Sequence, residues 1–261
     1  MSKNWKLIHI KSKQRGENEF SPKLPTCEQL EYGEIAINYG KDIETIAIRN
    51  ENDEIIKFIP EHKIKEYVDL GLSSGTLWAT CNLGASSPEQ YGDYYAWGEI
   101  EPNKASAYTP QNYRFYPGND NDEYTKYNDT DNKMTLDLAD DVANVVMGGN
   151  WHMPTSAQCA ELLDNTTSSW TTNYNGTGVA GMIFTSNNNG NSIFFPAAGI
   201  VVDAGSVGQG EWFDVWSSSR GSNSWNAWSV YGDSEGCYLD SSGYGRCSGL
   251  SVRGVLGELN E

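Results

Sequence analysis

The sequence predicts an α+β protein in which two short helices sit among short antiparallel strands and long loops, preceded by a small β-rich segment. Three observations carry this reading. Short runs alternate apolar and polar residues with period two, which is the pattern of strands. Two segments, around 136–146 and 155–165, place apolar residues at helical spacing. The remainder is rich in Gly (27 residues), Ser, Asn and Thr, the composition of turns and irregular connections. Nothing in the pattern suggests βαβ repeats or a parallel sheet.

Residues 1–25 are polar and basic, with Pro22 and Pro25 near their end, and read as an extended arm. Gly33-Glu-Ile-Ala-Ile-Asn-Tyr39, Glu44-Thr-Ile-Ala-Ile-Arg49 and Glu54-Ile-Ile-Lys-Phe-Ile59 alternate, with polar turns at 40–42 and 51–53. They predict three antiparallel strands. A meander this small buries little surface, so self-association, with a homotrimer as the expected form, is the physical expectation. Pro60 to Lys65 reads as a linker, which divides the chain into a segment 1–63 and a domain 64–261.

In the domain, Tyr67–Leu72 and Thr76–Thr80 read as strands and 84–94 as turns. Residues 99–133 read as one long polar loop. The first helix is expected over Leu136–Val146, with Leu138, Val142, Val145 and Val146 on its buried face. The second opens on the capping box Thr155-Ser-Ala-Gln158 and runs to about Asn165. Further strands are expected at 193–198, 214–218, 227–230, 236–239 and 249–253.

Composition excludes several function classes. The formal net charge is −17, with 10 basic and 11 acidic residues in 1–63 against 8 basic and 24 acidic in 64–261. A domain this acidic repels phosphate backbones, so no nucleic-acid partner is expected. No run approaches the about 20 consecutive apolar residues of a membrane span, so membrane insertion is not expected. The first residues offer no apolar stretch for a cleaved signal, which places synthesis in the cytoplasm. Five cysteines without C-x-x-C spacing support neither a disulfide framework nor a zinc site.

Catalytic constellations are sparse. His9, His62 and His152 are the three histidines, and His152, between Trp151 and Met153, reads as packing. Asp93 and Glu99 flank the aromatic run Tyr94–Trp97 and read as solvated acids beside a core segment, not as a glycosidase pair. Glu101-Pro-Asn103 matches a sugar-binding calcium tripeptide of C-type lectins, but no partner tripeptide follows it. Asn119–Glu123 and Asn128–Asp131 offer oxygen ligands suited to a structural Ca²⁺ without an EF-hand's Gly and closing Glu, so a solvated loop is the default and no cofactor is assigned.

Residues 211–250 carry the strongest signal. Of these 40 residues eight are aromatic, ten are Ser, six are Gly and four are Val, Leu or Ile. Rigid aromatics among small polar residues are the composition of recognition loops. Trp216, beside Ser217-Ser-Ser219, reads as core. Trp212, Trp225, Trp228 and Tyr244 are too many for one buried face.

Six blocks bear a family resemblance. They are Tyr67-Val-Asp-Leu-Gly-Leu-Ser-Ser-Gly-Thr-Leu-Trp-Ala-Thr-Cys-Asn-Leu-Gly-Ala85, Tyr91-Gly-Asp-Tyr-Tyr-Ala-Trp-Gly-Glu99, Gly148-Gly-Asn-Trp-His-Met-Pro-Thr155, Phe195-Pro-Ala-Ala-Gly199, Trp216-Ser-Ser-Ser219 and Gly249-Leu-Ser-Val-Arg253. In this order they resemble the Fibrobacter succinogenes major paralogous domain. The resemblance implies a C-type-lectin-like fold related to the formylglycine-generating enzyme. It also implies kinship with variable proteins of diversity-generating retroelements, whose carboxyl-terminal repeat is mutated at adenines. Cys247 and Ser248 stand where relatives carry tyrosines, and a Tyr codon becomes a Cys codon by one change at its adenine. Gly254 stands in place of a proline. Separately, Gln29–Tyr39 with Asn52–Lys57 resembles the attachment segment of Bacteroides phage tail-fibre proteins.

Together these imply a phage or prophage tail-fibre receptor-binding protein, carried out of the cell on the virion tail, with a variable region at about 211–250. Its expected partners are a host-surface protein or glycan and, through the amino-terminal segment, other tail proteins. The expected contact residues are Trp212, Phe213, Asp214, Arg220, Ser222, Ser224, Trp225, Trp228, Tyr238, Tyr244, Cys247, Ser248 and Leu250, with Trp216, Ser217, Ser218, Gly249 and Arg253 as frame. No enzymatic activity is expected: Cys237 and Cys247 are ten apart at positions expected to vary, unlike a formylglycine-generating pair. The alternatives are a cellular carbohydrate-binding or adhesion module of the same fold and, further off, an oxidative or glycoside-cleaving enzyme.

Overall fold

The computed structural model describes residues 67–102, 107–119 and 123–258 and, in the amino-terminal part, Asn52 and the backbone of four strands. The chain divides into two compact units, Met1–Lys65 and Glu66–Glu261.

In the first unit β1 (Leu7–Ile8), β2 (Ile35–Asn38), β3 (Thr45–Arg49) and β4 (Ile55–Phe58) form one sheet in that order. β2 to β4 pair antiparallel, with Ile37 opposite Ile46 and Ile48 opposite Ile56, at the three places where alternation predicts strands. β1 joins parallel to β2, so Leu7 and Ile8 are a strand where an extended arm was expected. The rest of that arm and the linker at 60–65 lie outside the described residues.

The second unit begins with β5 (Tyr67–Asp69), β6 (Leu77–Ala79) and β7 (Tyr94–Tyr95). After the long loop come α1 (Val142–Met147), β8 (Trp151–His152) and α2 (Ser156–Asp164). Then follow β9 (Thr166–Thr171), β10 (Gly181–Ser186), β11 (Ser192–Pro196), β12 (Ile200–Val202) and β13 (Gly205–Val207). The chain closes with β14 (Trp212–Arg220), β15 (Ala227–Asp233), β16 (Gly236–Asp240), β17 (Leu250–Val252) and β18 (Val255–Leu256). The described part is thus mostly sheet with two short helices, an α+β arrangement in which none of the described helices is long and apolar enough to cross a membrane.

A five-stranded sheet of order β16-β15-β14-β17-β7 is the centre of the unit. It is mixed, not purely antiparallel as expected: β14 and β17 run parallel, with Val215 opposite Ser251 and Trp216 opposite Val252. The chain leaves β16 through an irregular stretch and re-enters beyond β14 in the same direction, a connection that local pattern does not reveal. A second sheet (β5-β6-β18-β8) and a third (β11-β10-β9) flank it in sequence. β7 to β10, β12, β13 and β18 were not foreseen. Several are only two or three residues long, and β9 is polar but for Trp170, so periodicity has little to act on.

The second helix follows its sequence signals. Thr155 accepts a hydrogen bond from the Gln158 N–H and the Gln158 side chain accepts one from the Thr155 N–H, a reciprocal capping box. The first helix is shorter than expected. The Asp141 carboxylate takes the N–H groups of Asn144 and Met153, which fixes the helix start at Val142. Leu138 and Val146 are therefore exposed, and Val142 and Ala143 are its buried residues.

Two apolar clusters fill the unit. One packs Cys159 and Leu162 of α2 against Met182, Phe184, Ile193 and Phe195 of the β9–β11 sheet and against Phe213, Val215 and Val230. The other joins Trp97, Trp216, Leu250 and Val252 to Tyr108, Tyr113, Phe115, Tyr124 and Tyr127. Those five aromatics come from the loop that reads as polar: its Asn and Asp residues are the solvated side of a segment whose rings are core. Arg253, fully buried, donates to the Asn82 side chain at 3.0 and 2.8 Å and to the carbonyls of Ala79, Thr80 and Phe194, so it ties the chain end to two earlier strands.

Candidate ligand-binding face

The edge of the central sheet formed by β14, β15 and β16 has two unlike faces. Strand side chains alternate, and the antiparallel register places Asp214 opposite Tyr231, Tyr231 opposite Tyr238, and Ser229 opposite Asp240. Phe213, Val215 and Val230 take the other parity and are sealed against α2 and the β9–β11 sheet. Gly232 makes this possible: a Cβ there would lie 2.4 Å from the Phe213 ring.

The opposite parity carries Trp212, Asp214, Ser229, Tyr231, Asp233, Tyr238 and Asp240, together with Trp216, which is sealed in the cluster that Trp212 and Tyr244 pack against. Four rings run in a row across it. Tyr238 and Tyr231 lie 5.2 Å apart, Tyr231 and Trp212 5.6 Å, and Trp212 and Tyr244, from the loop after β16, stack 6.0 Å apart with planes inclined by 8°. Tyr238 is 55 % exposed and the others are half-buried. Trp212 is set by Gly208, whose backbone has φ +73° and whose place leaves no room for a Cβ, 2.0 Å from the indole.

Beneath the row sits Asp214, 1 % exposed. Burial pushes its carboxyl up to about 7; the Ser229 hydroxyl and the Val215 N–H oppose that rise and the neighbouring Asp240 adds to it. Its Oδ1 has no hydrogen-bond partner. Asp240 is engaged differently, accepting from the N–H and hydroxyl of Ser242 at 2.8 and 3.1 Å, which shapes the loop that carries Tyr244. The Tyr231 hydroxyl donates to Asp233 at 2.9 Å.

That loop ends in Arg246, fully buried. It donates to the Tyr113 hydroxyl at 3.1 Å, to the carbonyls of Tyr127 and Ser224 at 2.9 and 2.7 Å and to that of Lys126 at 2.9 Å. The faces of Trp97 and Tyr124 lie 4.6 and 4.8 Å from its guanidinium carbon. Trp225, 36 % exposed, packs its ring 4.7 Å from Tyr124 and closes this nest from outside.

The expected contact residues therefore separate. Trp212, Tyr238 and Tyr244 meet on the open face, while Ser222 and Trp225 are exposed at its far end. Trp228 is half-buried and shares the parity of Val230, which turns it from the row. Cys247 is half-buried, its thiol hydrogen-bonded by Tyr124 and pushed up by burial. Six others are buried and offer no surface. Phe213 is core. Asp214 is the floor. Arg220 reaches Asp129 at 2.7 Å and the Tyr127 carbonyl, and Ser224 lends its carbonyl to Arg246. Ser248 closes a turn on Gly245, and Leu250 lies within β17 between two strands. Of the frame set, Trp216, Ser217, Ser218 and Arg253 are buried. Tyr231, Ser229 and Asp240 were missed. The register Asp214–Tyr231–Tyr238 could have found them, because two alternating strands joined by the turn at Ser234-Glu235 pair predictably.

Glu99, His152 and Asp131 are each engaged by hydrogen bonds within the chain. Glu99 accepts the Arg114 N–H at 2.9 Å and is pushed up by burial. His152 is buried and faces the Met153 and Gly257 carbonyls. Asp131 accepts three N–H groups of its own loop, from Tyr127, Asn128 and Lys133. Among the described residues no group of three His, Cys, Asp or Glu is placed to hold a metal.

A scan of protein-family models, a search of curated proteins and a search of solved structures return no match to this chain.

Proposed function

We propose that residues 64–261 are a C-type-lectin-like binding module without enzymatic activity, and that the chain is a phage or prophage tail-fibre receptor-binding protein. In this reading the first unit attaches to the tail and trimerises, and the open face of β14–β16 with the loops around it meets a host-surface ligand. The variable proteins of diversity-generating retroelements, which the sequence blocks resemble, suggest how such a face could be altered without altering its support.

One observation carries the reading: a row of four aromatic side chains lies on one face of a sheet whose other face is closed core. Rings on a rigid support give contact area with little entropy to lose on binding. Several copies per particle would multiply a modest single-site affinity.

The test is binding of the full chain to cells of its host. Tyr238→Ala with Trp212→Leu is expected to lower binding at least tenfold while the protein stays folded by circular dichroism. Unchanged binding by the folded double variant would overturn the assignment of this face.

A further inference from the structure

We propose that the aromatic row and Asp214 form a receptor for a side-chain cation, the ammonium of a lysine or the guanidinium of an arginine presented by a host-surface protein. The proposal rests on the reading of this face as the binding surface and names what it binds.

Asp214 differs from the other buried acids of the unit. Asp141 holds the N–H groups of Met153 and Asn144 at 2.7 and 3.1 Å. Asp140 holds Arg114 at 2.8 Å, Lys126 at 2.5 Å and the Tyr127 hydroxyl at 2.7 Å. Asp214 Oδ1 holds nothing, although a buried carboxylate oxygen without a donor is costly. What it lacks is a donor, and preferably a positive one.

The surroundings favour a cation over any other group. The neighbours on this face are Trp212 from β14, Ser229, Tyr231 and Asp233 from β15, Tyr238 and Asp240 from β16, and Tyr244 from the loop. Residues 221–245 contain no Lys or Arg, and carry Asp233, Glu235 and Asp240. Ring faces carry negative charge density and attract cations, so walls and floor agree in sign. An anionic ligand would meet this acid at close range, and a neutral donor would satisfy the oxygen without offsetting its charge. A Tyr- and Ser-rich surface matches the composition with which antibody loops meet protein epitopes, which favours a side chain of a protein. Asp214 is 1 % exposed, so a ligand reaches it only as neighbouring side chains shift, and no hydrogen bond among the described residues holds the Tyr238 or Tyr244 hydroxyl.

The ring half of this chemistry is built elsewhere in the unit, without a carboxylate. Arg246 lies among the faces of Trp97, Tyr113, Tyr124 and Tyr127, so a guanidinium enclosed by rings is an arrangement this unit already contains.

The experiment uses the full chain and two probes, N-acetyl-lysine amide and N-acetyl-arginine amide, with N-acetyl-norleucine amide as the neutral control. Binding is read by NMR shift perturbation of the tyrosine and tryptophan rings. Saturable binding is expected from at least one cation and not from norleucine amide. Because a cation favours the ionised acid, binding should be about tenfold tighter at pH 8.5 than at pH 5.5, and Asp214→Asn should abolish this pH dependence and weaken binding at pH 8.5 by about tenfold. Asp233 is held below its usual range by the Glu235 N–H and the tyrosines Tyr231, Tyr238 and Tyr244 are all raised by burial, so none of these titrates in that interval. In the wild-type chain the Asp214 carboxyl ¹³C titration should move down by a unit or more at saturating probe, a readout that needs no variant. Equal binding of norleucine amide, equal binding by a folded Asp214→Asn, or an unmoved Asp214 titration would each overturn the proposal. Tighter binding of glucosamine than of either amide would overturn the assignment to a protein side chain. Host-cell binding that depends on Tyr238 and Trp212 while the cations fail would remove this proposal and leave the receptor reading intact.

Discussion

Arg246 and Asp214 are both buried charges in the same unit, about equally hidden from water, and the protein treats them in opposite ways. Arg246 spends its donors on a hydroxyl and three carbonyl oxygens, and ring faces cover what remains. It has no carboxylate partner among these contacts, yet no nitrogen of its guanidinium is left bare. Asp214 has the Ser229 hydroxyl and the Val215 N–H, and one oxygen with nothing. The contrast separates two uses of a buried charge. A fully satisfied one fixes the loops that meet around it; a half-satisfied one holds free energy that an incoming partner can release.

The comparison breaks most visibly if Arg246 proves dispensable. Arg246→Met should destabilise the unit by about 3–5 kcal/mol, because it removes the donor to the carbonyls of Ser224 and Lys126 and leaves that of Tyr127 only the longer Arg220 contact at 3.4 Å. Denaturant unfolding of the full chain, followed by tryptophan fluorescence, measures it. A loss under about 1 kcal/mol would mean that the nest is not a structural keystone.

Asp214→Asn should do the reverse, with a sign that depends on pH. The folded carboxyl titrates near 7, above the ordinary 3.8, so the folded state keeps a proton that the unfolded chain has lost. Wild-type stability should therefore fall as pH rises from about 4 to about 7 at this site, by an amount of order a few kcal/mol. The amide does not ionise. The variant should match the wild type near pH 4 and exceed it at pH 8, as read from unfolding midpoints across that range. A variant less stable than wild type at pH 8 would show that the acid is not strained.

Tyr238→Ala should cost the least, within about 1 kcal/mol, since more than half of the side chain is already in water. A near-silent effect on stability with a large effect on binding would sharpen the distinction between the open face and the nest. A large stability loss would merge them.

The sequence makes part of this legible. The capping box at Thr155 and Gln158 is readable because it is local: four residues specify both hydrogen bonds. The three strands of the amino-terminal meander are readable because alternation and turn residues agree. The aromatic density of 211–250 marks the segment whose rings the structure gathers into a row. Within that region composition could not sort the residues, because neighbours along a strand point to opposite sides. Phe213 and Asp214 are adjacent, yet one joins the α2 core and the other lies under the rings.

By itself, then, the sequence determined what short-range physics can encode: where the chain turns, where it caps a helix, which stretches alternate, and that aromatic and small polar residues are concentrated in 211–250. Only the tertiary structure decided which rings share a face, that Arg246 is enclosed by loop aromatics more than a hundred residues away, and that Asp214 is buried without a full set of partners. Those outcomes depend on strand register and on what packs over each face, and both are set by contacts between segments far apart in the chain.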